Sequence, residues 1–407
     1  MSASARSLLF DRNYAVYAFG NAISYLGTWA QRIAVGWLSW ELSHQTFWVG
    51  VISLAQLLPL IVFGPLFGAL LDRHDHRRFA VGVNLALAMI AAVLYVLTAL
   101  HWMGIGLLGL MSLVLGIANA AFQAVRLAMI NDVVEPQRLT EAIAINSLVY
   151  NVTRAVGPAV AGVVIAAYGI AAAFAVNAVS FGGILVALFY VQLRPRRHAP
   201  STDGLWAQSR DGMRYVLEHP GLRQLVLLGG ITALLARGVV ELLPAFADGV
   251  YGRGSVGLAN LTTAAGIGAI AGAFALSRLR PGEALLRLTR YSVLAMGAVV
   301  AIFGLCTSYA AGLLISTLIG CNIVLCSVAL QVLLQSAVHD GFRGRVLGLW
   351  TAVNVAGPGL GGALDGTMAQ WFGLQRVTVA SGLTCVALVL WVMRGSRPLL
   401  IGAPANE

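Results

Sequence analysis

The residues able to do chemistry in this chain are polar and charged side chains that recur at helical spacing inside long apolar runs. In the first run Asn21, Tyr25, Thr28 and Arg32 fall at i, i+4, i+7 and i+11, one continuous face of a helix. A later run places Asn119, Gln123 and Arg126 at i, i+4 and i+7. Another offers Asn322 and Cys326, with Gln331 and Gln335 on a different face. Arg237 and Glu241 stand one turn apart, and Arg154 lies mid-run with no acid within two turns. Glu241 and Asp365 are the acids well inside the runs, Glu41 being at an edge. In lipid an exposed Arg or Asp costs about 2.5–3.5 kcal/mol, so such groups must face a cavity or a partner.

The charges sort by depth. Arg32, Arg237, Glu241 and Asp365 fall in the outer halves of their runs and sum to zero, an arrangement compatible with a gate or a proton-handling network. Arg126 and Arg154 lack an acid at comparable depth, and an uncompensated positive cavity prefers an anion. Tyr25 and Trp29 can stack on a ligand's rings or simply pack. Plainer readings stand beside these: hydrogen bonds that only hold a bundle together, an Arg237–Glu241 pair that neutralises itself, and Arg126 as a topological charge.

Composition decides the setting. Hydrophobic residues make up 59% and charged residues 10%, with mean hydropathy +0.83, whereas a soluble domain carries about 25% charge. The chain is therefore expected to be polytopic and all-α. Spans of about 20 residues are read at 13–40, 47–71, 79–100, 104–130, 141–167, 170–193, 222–245, 256–277, 286–307, 310–337, 345–370 and 374–394. These give an N-terminal six-helix bundle (1–193), a linker (194–221) and a C-terminal six-helix bundle with a short tail (222–407). In the linker Trp206, Met213 and Leu217 share a face opposite Arg210, Asp211 and Arg214, as in a helix lying on a membrane surface, with Asp203 as its cap; a linker without fixed structure is the alternative.

All 26 basic residues are Arg. The hairpins on the side of Arg73 also carry Arg138, Arg194, Arg196, Arg197, Arg210, Arg214, Arg223, Arg278, Arg280, Arg287, Arg290, Arg343 and Arg345, with Arg394 and Arg397 in the tail; the opposite loops carry Arg253 and Arg376. Positive charge marks the cytoplasmic side, so both termini are expected there. Arg scattered between apolar runs excludes a nucleic-acid face. Cys306, Cys321, Cys326 and Cys385 lie in apolar runs as small core residues, and the His residues lie in or beside loops, so neither a disulfide framework nor a metal centre is expected. No HExxH, GxSxG or P-loop motif appears, which argues against an enzyme or an ATP-driven pump. The start of the chain lacks a small-residue cleavage site and is read as no signal peptide.

The halves repeat. Gly157-Pro158 with Gly162 returns 200 residues later as Gly357-Pro358 with Gly362, and Gly64/Gly68 returns 204 later as Gly268/Gly272. Parallel duplication suits a central site between two bundles. Gly64 and Gly68 are expected to let the second span approach a neighbour closely. That span ends in Gly68-x-Leu70-x-Asp72-Arg73 followed by Arg77-Arg78, a knot of charge at the membrane face.

This knot resembles the loop 2–3 signature of the major facilitator superfamily. The Asp-Arg-x-Asp-x-Arg-Arg form is similar to the subgroup that includes the enterobactin exporter and macrolide efflux proteins. Gly157-Pro158 and Gly357-Pro358 resemble the family's antiporter motif, which Ala161 breaks in the first copy and Gly361-Gly362 completes in the second. Arg154, and Arg343-Gly-Arg345 entering the eleventh span, also resemble the subgroup. The resemblance implies the major facilitator fold, alternating access, a cavity lined by the polar stripes, and Asp72, Arg73, Arg77 and Arg78 as the cytoplasmic lock. It further implies export of a small amphipathic, siderophore-like anion across a bacterial cytoplasmic membrane by a monomer. Protons are expected as coupling ion through Glu241 or Asp365, with no cofactor. Multidrug efflux of neutral or cationic compounds, import, and a non-transporting membrane protein stand as alternatives.

Overall fold

The computed structural model describes residues 8, 10–71, 73–194, 205–279 and 282–394. Asp72, Arg196, Arg197, Asp203, Arg280 and Arg397 lie outside the described residues, as does the side chain of Trp206. No strand occurs among the described residues. Among the described residues there are thirteen helices longer than a single turn: α1 (Arg12–Ser43), α2 (Thr46–Leu71), α3 (His76–Ala99), α4 (Ile105–Val133), α5 (Leu139–Tyr168), α6 (Ile170–Tyr190), α7 (Leu205–Glu218), a composite α8 (Pro220–Val250), α9 (Gly254–Leu276), α10 (Glu283–Leu305), α11 (Tyr309–Ala337), α12 (Arg343–Phe372) and α13 (Leu374–Arg394). Ten of them are long and apolar enough to cross a membrane. The other long ones, α1 and α12, have 32 and 30 residues but dilute their apolar runs with Asn, Gln, Ser, Thr and Gly.

Local chemistry fixes the ends. Asp11 accepts the Asn13 and Tyr14 N–H groups at 2.9 and 3.4 Å to start α1, and Asp75 accepts the Arg78 N–H at 2.8 Å to start α3. Gly169 (φ 81°) and Gly373 (φ 85°) turn α5 into α6 and α12 into α13, and each allows a reversal that a side chain would strain. They stand 204 residues apart, a third landmark of the repeat.

The seventh span departs from the continuous helix expected over 222–245. Within α8 the α-helix ends at Ile231, a π-helical turn runs over Thr232–Ala236, a 3₁₀ turn over Arg237–Val240, and a second π turn over Phe246–Val250. Pro244 has no N–H for the Val240 carbonyl, which removes one rung of the ladder at the break.

The chain divides into two compact units, residues 1–44 with 55–201 and 252–263, and residues 45–54 with 202–251 and 264–407. In the first, α1 packs on α5 and α6, and α3 on α4 and α6. A buried knot pins α1 to α6: Asn177 Nδ2 donates to Gln31 Oε1 at 2.8 Å and Ser180 Oγ to Asn177 Oδ1 at 3.0 Å. In the second unit α10 packs on α11 and α13, and α12 on α8 and α13.

One expectation is corrected by packing. A Cβ added at Gly64 or Gly68 would meet nothing within 4 Å, so these residues serve no close approach. Their repeats do: at Gly272 it would lie 2.7 Å from the Cys321 carbonyl oxygen, and at Gly268 it would collide with that of Thr317. The linker helix α7 leaves the Met213 and Leu217 face uncovered and turns another face to the protein. Met213 and Leu217 are exposed, whereas Val216 is buried, Gly212 lies against Arg345, and Tyr215 stacks on Phe342 at 4.3 Å and 6°. Asp211 pairs with Arg345 at 3.7 Å, tying α7 to the start of α12.

Candidate functional site

In the first unit three helices bring cations and aromatic rings together. From α4, the Arg126 guanidinium donates to the Tyr25 hydroxyl at 2.6 Å and lies 5.3 and 5.4 Å from the ring centroids of Tyr25 and Tyr150. Tyr25 meets Tyr150 edge-on at 5.5 Å and Phe122 at 6.2 Å. Trp29 lies 5.7 Å from Tyr150, and Arg32 lies 5.8 Å from the Trp29 ring. On α5, Tyr150, Arg154 and Gly157 follow at i, i+4 and i+7, and a side chain at Gly157 would collide with Trp29. Gly157 is therefore the seat of Trp29.

The electrostatics of this cluster are one-sided. Arg154 and Arg32 are close enough to repel. Arg154 makes no hydrogen bond or ion pair among the described residues, and Arg126 pairs with no carboxylate while its Nε is buried without a partner. Arg126 is thus not bare, as depth alone suggested, because Tyr25 and two ring faces hold it. Cation–π contacts contribute about 0.5–2 kcal/mol but leave the charge unneutralised. The chemistry such a cluster can do is to take up an anion, with flat rings beside it.

The other stripe residues are less convergent. Asn21 is buried with Nδ2 unpartnered, and Thr28 donates to its own helix at Ser24 O, 2.8 Å. Asn119 and Gln123 are half-buried and without a hydrogen bond among the described residues. Asn322 donates to Leu318 O at 3.0 Å, back onto α11.

In the second unit the acids have hydroxyl partners. Ser53 Oγ donates to Glu241 Oε2 at 2.6 Å, and Ser381 Oγ to Asp365 Oδ1 at 2.6 Å, with Asp365 6% exposed. Arg237 donates to Asn354 Oδ1 at 2.7 Å. Glycines of α12 face the broken stretch of α8. A Cβ at Gly238 would lie 2.7 Å from Gly361 C, one at Gly362 2.9 Å from Glu241 Cβ, and one at Gly361 would overlap the Leu234 carbonyl oxygen. This explains the mismatch between the repeats: position 361 meets backbone and must be Gly, while Ala161 is accommodated fully buried. Pro158 and Pro358 are buried inside α5 and α12, and Gly357 would meet Ala233 Cβ at 2.5 Å.

At the α2–α3 hairpin, Arg77 donates to the Val191 carbonyl at the end of α6, while Arg73 and Arg78 are exposed. His76 Nδ1 meets Asp132 Oδ2, fastening α3 to α4. Sequence reasoning missed Tyr150, Ser53, Asn354 and Ser381. The signal for Tyr150 was its place one turn before Arg154; the others are tertiary partners that no spacing reveals.

A duplicated, membrane-spanning chain, all-helical among the described residues, with Arg126 and Arg154 inside it and no carboxylate paired to either, has the features of a transporter. The family model described as transmembrane secretion effector matches residues 4–399, and the chain belongs to that family, within the major facilitator superfamily. It is therefore a multi-pass membrane transporter and not an enzyme. It is 23% identical over 92% of its length to the staphyloferrin A transporter of Staphylococcus aureus, covering 95% of that protein. It is 21% identical over 95% of its length to macrolide efflux protein A of Streptococcus pyogenes, covering 96%. The enterobactin exporter of Citrobacter koseri is 30% identical over 64% of the chain and 62% of that protein. Among solved structures, a bacterial homologue of the lysosomal transporter Spinster superposes with TM-score 0.70 at 16% identity, covering 97% and 98% of the two chains. A nucleoside transporter does so at 0.69 and 12%, covering 94% and 98%.

Proposed function

We propose that this chain exports a small amphipathic anion, a carboxylate- or catecholate-bearing compound of siderophore type, by alternating access in a bacterial cytoplasmic membrane. The observation that carries the reading is Arg154, a half-buried residue without a hydrogen bond or ion pair among the described residues, one turn from Tyr150, whose ring meets the Arg126 guanidinium and the rings of Tyr25 and Trp29. Relatives named for staphyloferrin A and enterobactin support the compound class. Asn21, Thr28, Arg32, Asn119, Gln123, Arg237 and Asn322 complete the proposed substrate path. Glu241 and Asp365 are the proposed proton carriers, each a carboxyl with a hydroxyl partner. Asp72, Arg73, Arg77 and Arg78 form the proposed cytoplasmic lock, and the Gly-Pro pairs its hinges. The termini lie in the cytoplasm and the monomer is the working unit.

The test is a binding screen of the purified protein against catecholate and carboxylate siderophores and cationic drugs, repeated with Arg154→Gln. A charge-assisted hydrogen bond is worth about 1.5–3 kcal/mol, so anion affinity should fall about 10- to 100-fold. Binding of cations but not anions, with Arg154→Gln indifferent, overturns the reading. It would favour the second one, efflux of neutral or cationic compounds, which the macrolide efflux relative and the acids Glu241 and Asp365 support.

A further inference from the structure

The α2–α3 hairpin carries a cavity that the transport cycle proposed above does not use as a substrate site. It has a volume of about 520 Å³ and is lined by Arg73, His74, Asp75, Arg78, Phe79, Gly82 and Val83. Neither the Arg73 nor the Arg78 side chain has a partner among the described residues. The one acid of the lining, Asp75, is engaged as the cap of α3 through the Arg78 N–H, and His74 Nδ1 is bonded to the Leu70 carbonyl at 2.8 Å. The site therefore sets two guanidiniums without hydrogen-bond or ion-pair partners against the single charge of Asp75, an excess of one positive charge for an anion.

Beyond these charges the surface is apolar and uncovered. Only 11% of the most apolar stretch of α2 and 28% of that of α3 is buried within the protein. Val62, Leu66, Leu85 and Met89 are 46–63% exposed, and a side chain at Gly64, Gly68 or Gly82 would meet empty space. In a membrane chain this surface is bathed by acyl tails. Two cations at the charged end of a lipid-facing groove match one ligand, a molecule with a phosphate head and a hydrocarbon tail.

We infer that the α2–α3 hairpin binds an anionic phospholipid, its headgroup phosphate held by Arg73 and Arg78 and its acyl chain lying along Phe79, Gly82 and Val83. The inference rests on the membrane placement and the cavity, and it stands whether or not the transported compound is an anion. Basic side chains near an anionic headgroup contribute about five-fold each in affinity.

The full-length protein, purified in detergent, is titrated with phosphatidylglycerol or phosphatidylcholine and read by native mass spectrometry. Phosphatidylglycerol should be retained in preference, and R73Q/R78Q should weaken it about 25-fold, while R376Q, in an opposite loop, leaves it unchanged. Gly82→Trp fills open space without touching a charge, and it should weaken phosphatidylglycerol by blocking the chain. Equal retention of both lipids, or R73Q/R78Q binding phosphatidylglycerol like the parent, overturns the site. Displacement of the lipid by inorganic phosphate alone, or indifference to Gly82→Trp, reduces it to a phosphate site and overturns the lipid assignment. Loss of the fold in R73Q/R78Q would show as loss of the folded mass envelope, and the Gly82→Trp arm then decides.

Discussion

Gly64 and Gly268 occupy the same place in the two copies of the repeat, so a sequence-based argument treats a substitution at either alike. Their surroundings differ completely. At Gly64 a methyl group enters open space. Gly64→Ala therefore removes only glycine's helix penalty, a stabilisation of about 0.5–1 kcal/mol. At Gly268 the same methyl collides with the Thr317 carbonyl oxygen, and the partner helix replies with Gly320, whose Cβ would collide with the Ala265 carbonyl oxygen. Backbone cannot rotate away as a side chain can, so α9 and α11 must separate. Overpacking of this kind costs about 1–3 kcal/mol, and the gain in propensity offsets only part of it. Thermal unfolding of the two detergent-purified variants, followed by loss of the monodisperse peak, should move Tm up or leave it for Gly64→Ala and lower it clearly for Gly268→Ala. Equal losses would refute the reasoning, because they would mean that Gly64 is packed as tightly as its repeat.

Other substitutions address the site and the linker. Tyr25→Phe keeps the ring contacts to Phe122 and Tyr150 but removes the 2.6 Å acceptor of Arg126; stability should fall by about 1–3 kcal/mol in a melt, and binding of an anionic compound should weaken with it. Asp365→Asn and Glu241→Gln should separate transport from a pH gradient in proteoliposomes, one of them abolishing uphill movement while substrate binding persists. If both retain full pH-driven transport, neither acid carries the proton. Tyr215→Ala removes the stack on Phe342 and should expose α7 to limited proteolysis faster than the parent; an unchanged digestion rate would show that Gly212 and Asp211 hold the helix without it.

The ends of the helices were largely legible in the sequence because lipid enforces them. The run read as 374–394 is α13 residue for residue, and the 13–40 run extends to Arg12–Ser43 once Asp11 supplies its cap. Periodicity also put Tyr25 and Arg32 on one face of α1 and Arg126 on α4, which the fold brings to a common cluster. What stayed hidden is what depends on a second helix. Nothing in an apolar run over 222–245 announces that α12 will press its glycines against Leu234 and Gly238, where α8 loses its regular ladder. That Arg126 lacks an acid was legible, but its seat on the Tyr25 hydroxyl and two ring faces was not, because aromatic faces do not register in a charge count. The protein-facing side of the linker helix was not legible, because docking on Arg345 and Phe342 uses the small and flat residues Gly212 and Tyr215, which carry no hydrophobic signal.

The contact between α8 and α12 differs in kind from that between α1 and α6. At Gly238, Gly361 and Gly362 one main chain rests on another, with few side chains meshed between them. Such a surface has little side-chain meshing to resist a small displacement, and the tie across it is the Arg237–Asn354 hydrogen bond at its side. The α1–α6 contact is toothed and bolted, since any slip there must break the buried Asn177–Gln31 hydrogen bond. Glu241 sits on this glycine face beside Gly362, so a shift of α12 against α8 acts directly on that residue.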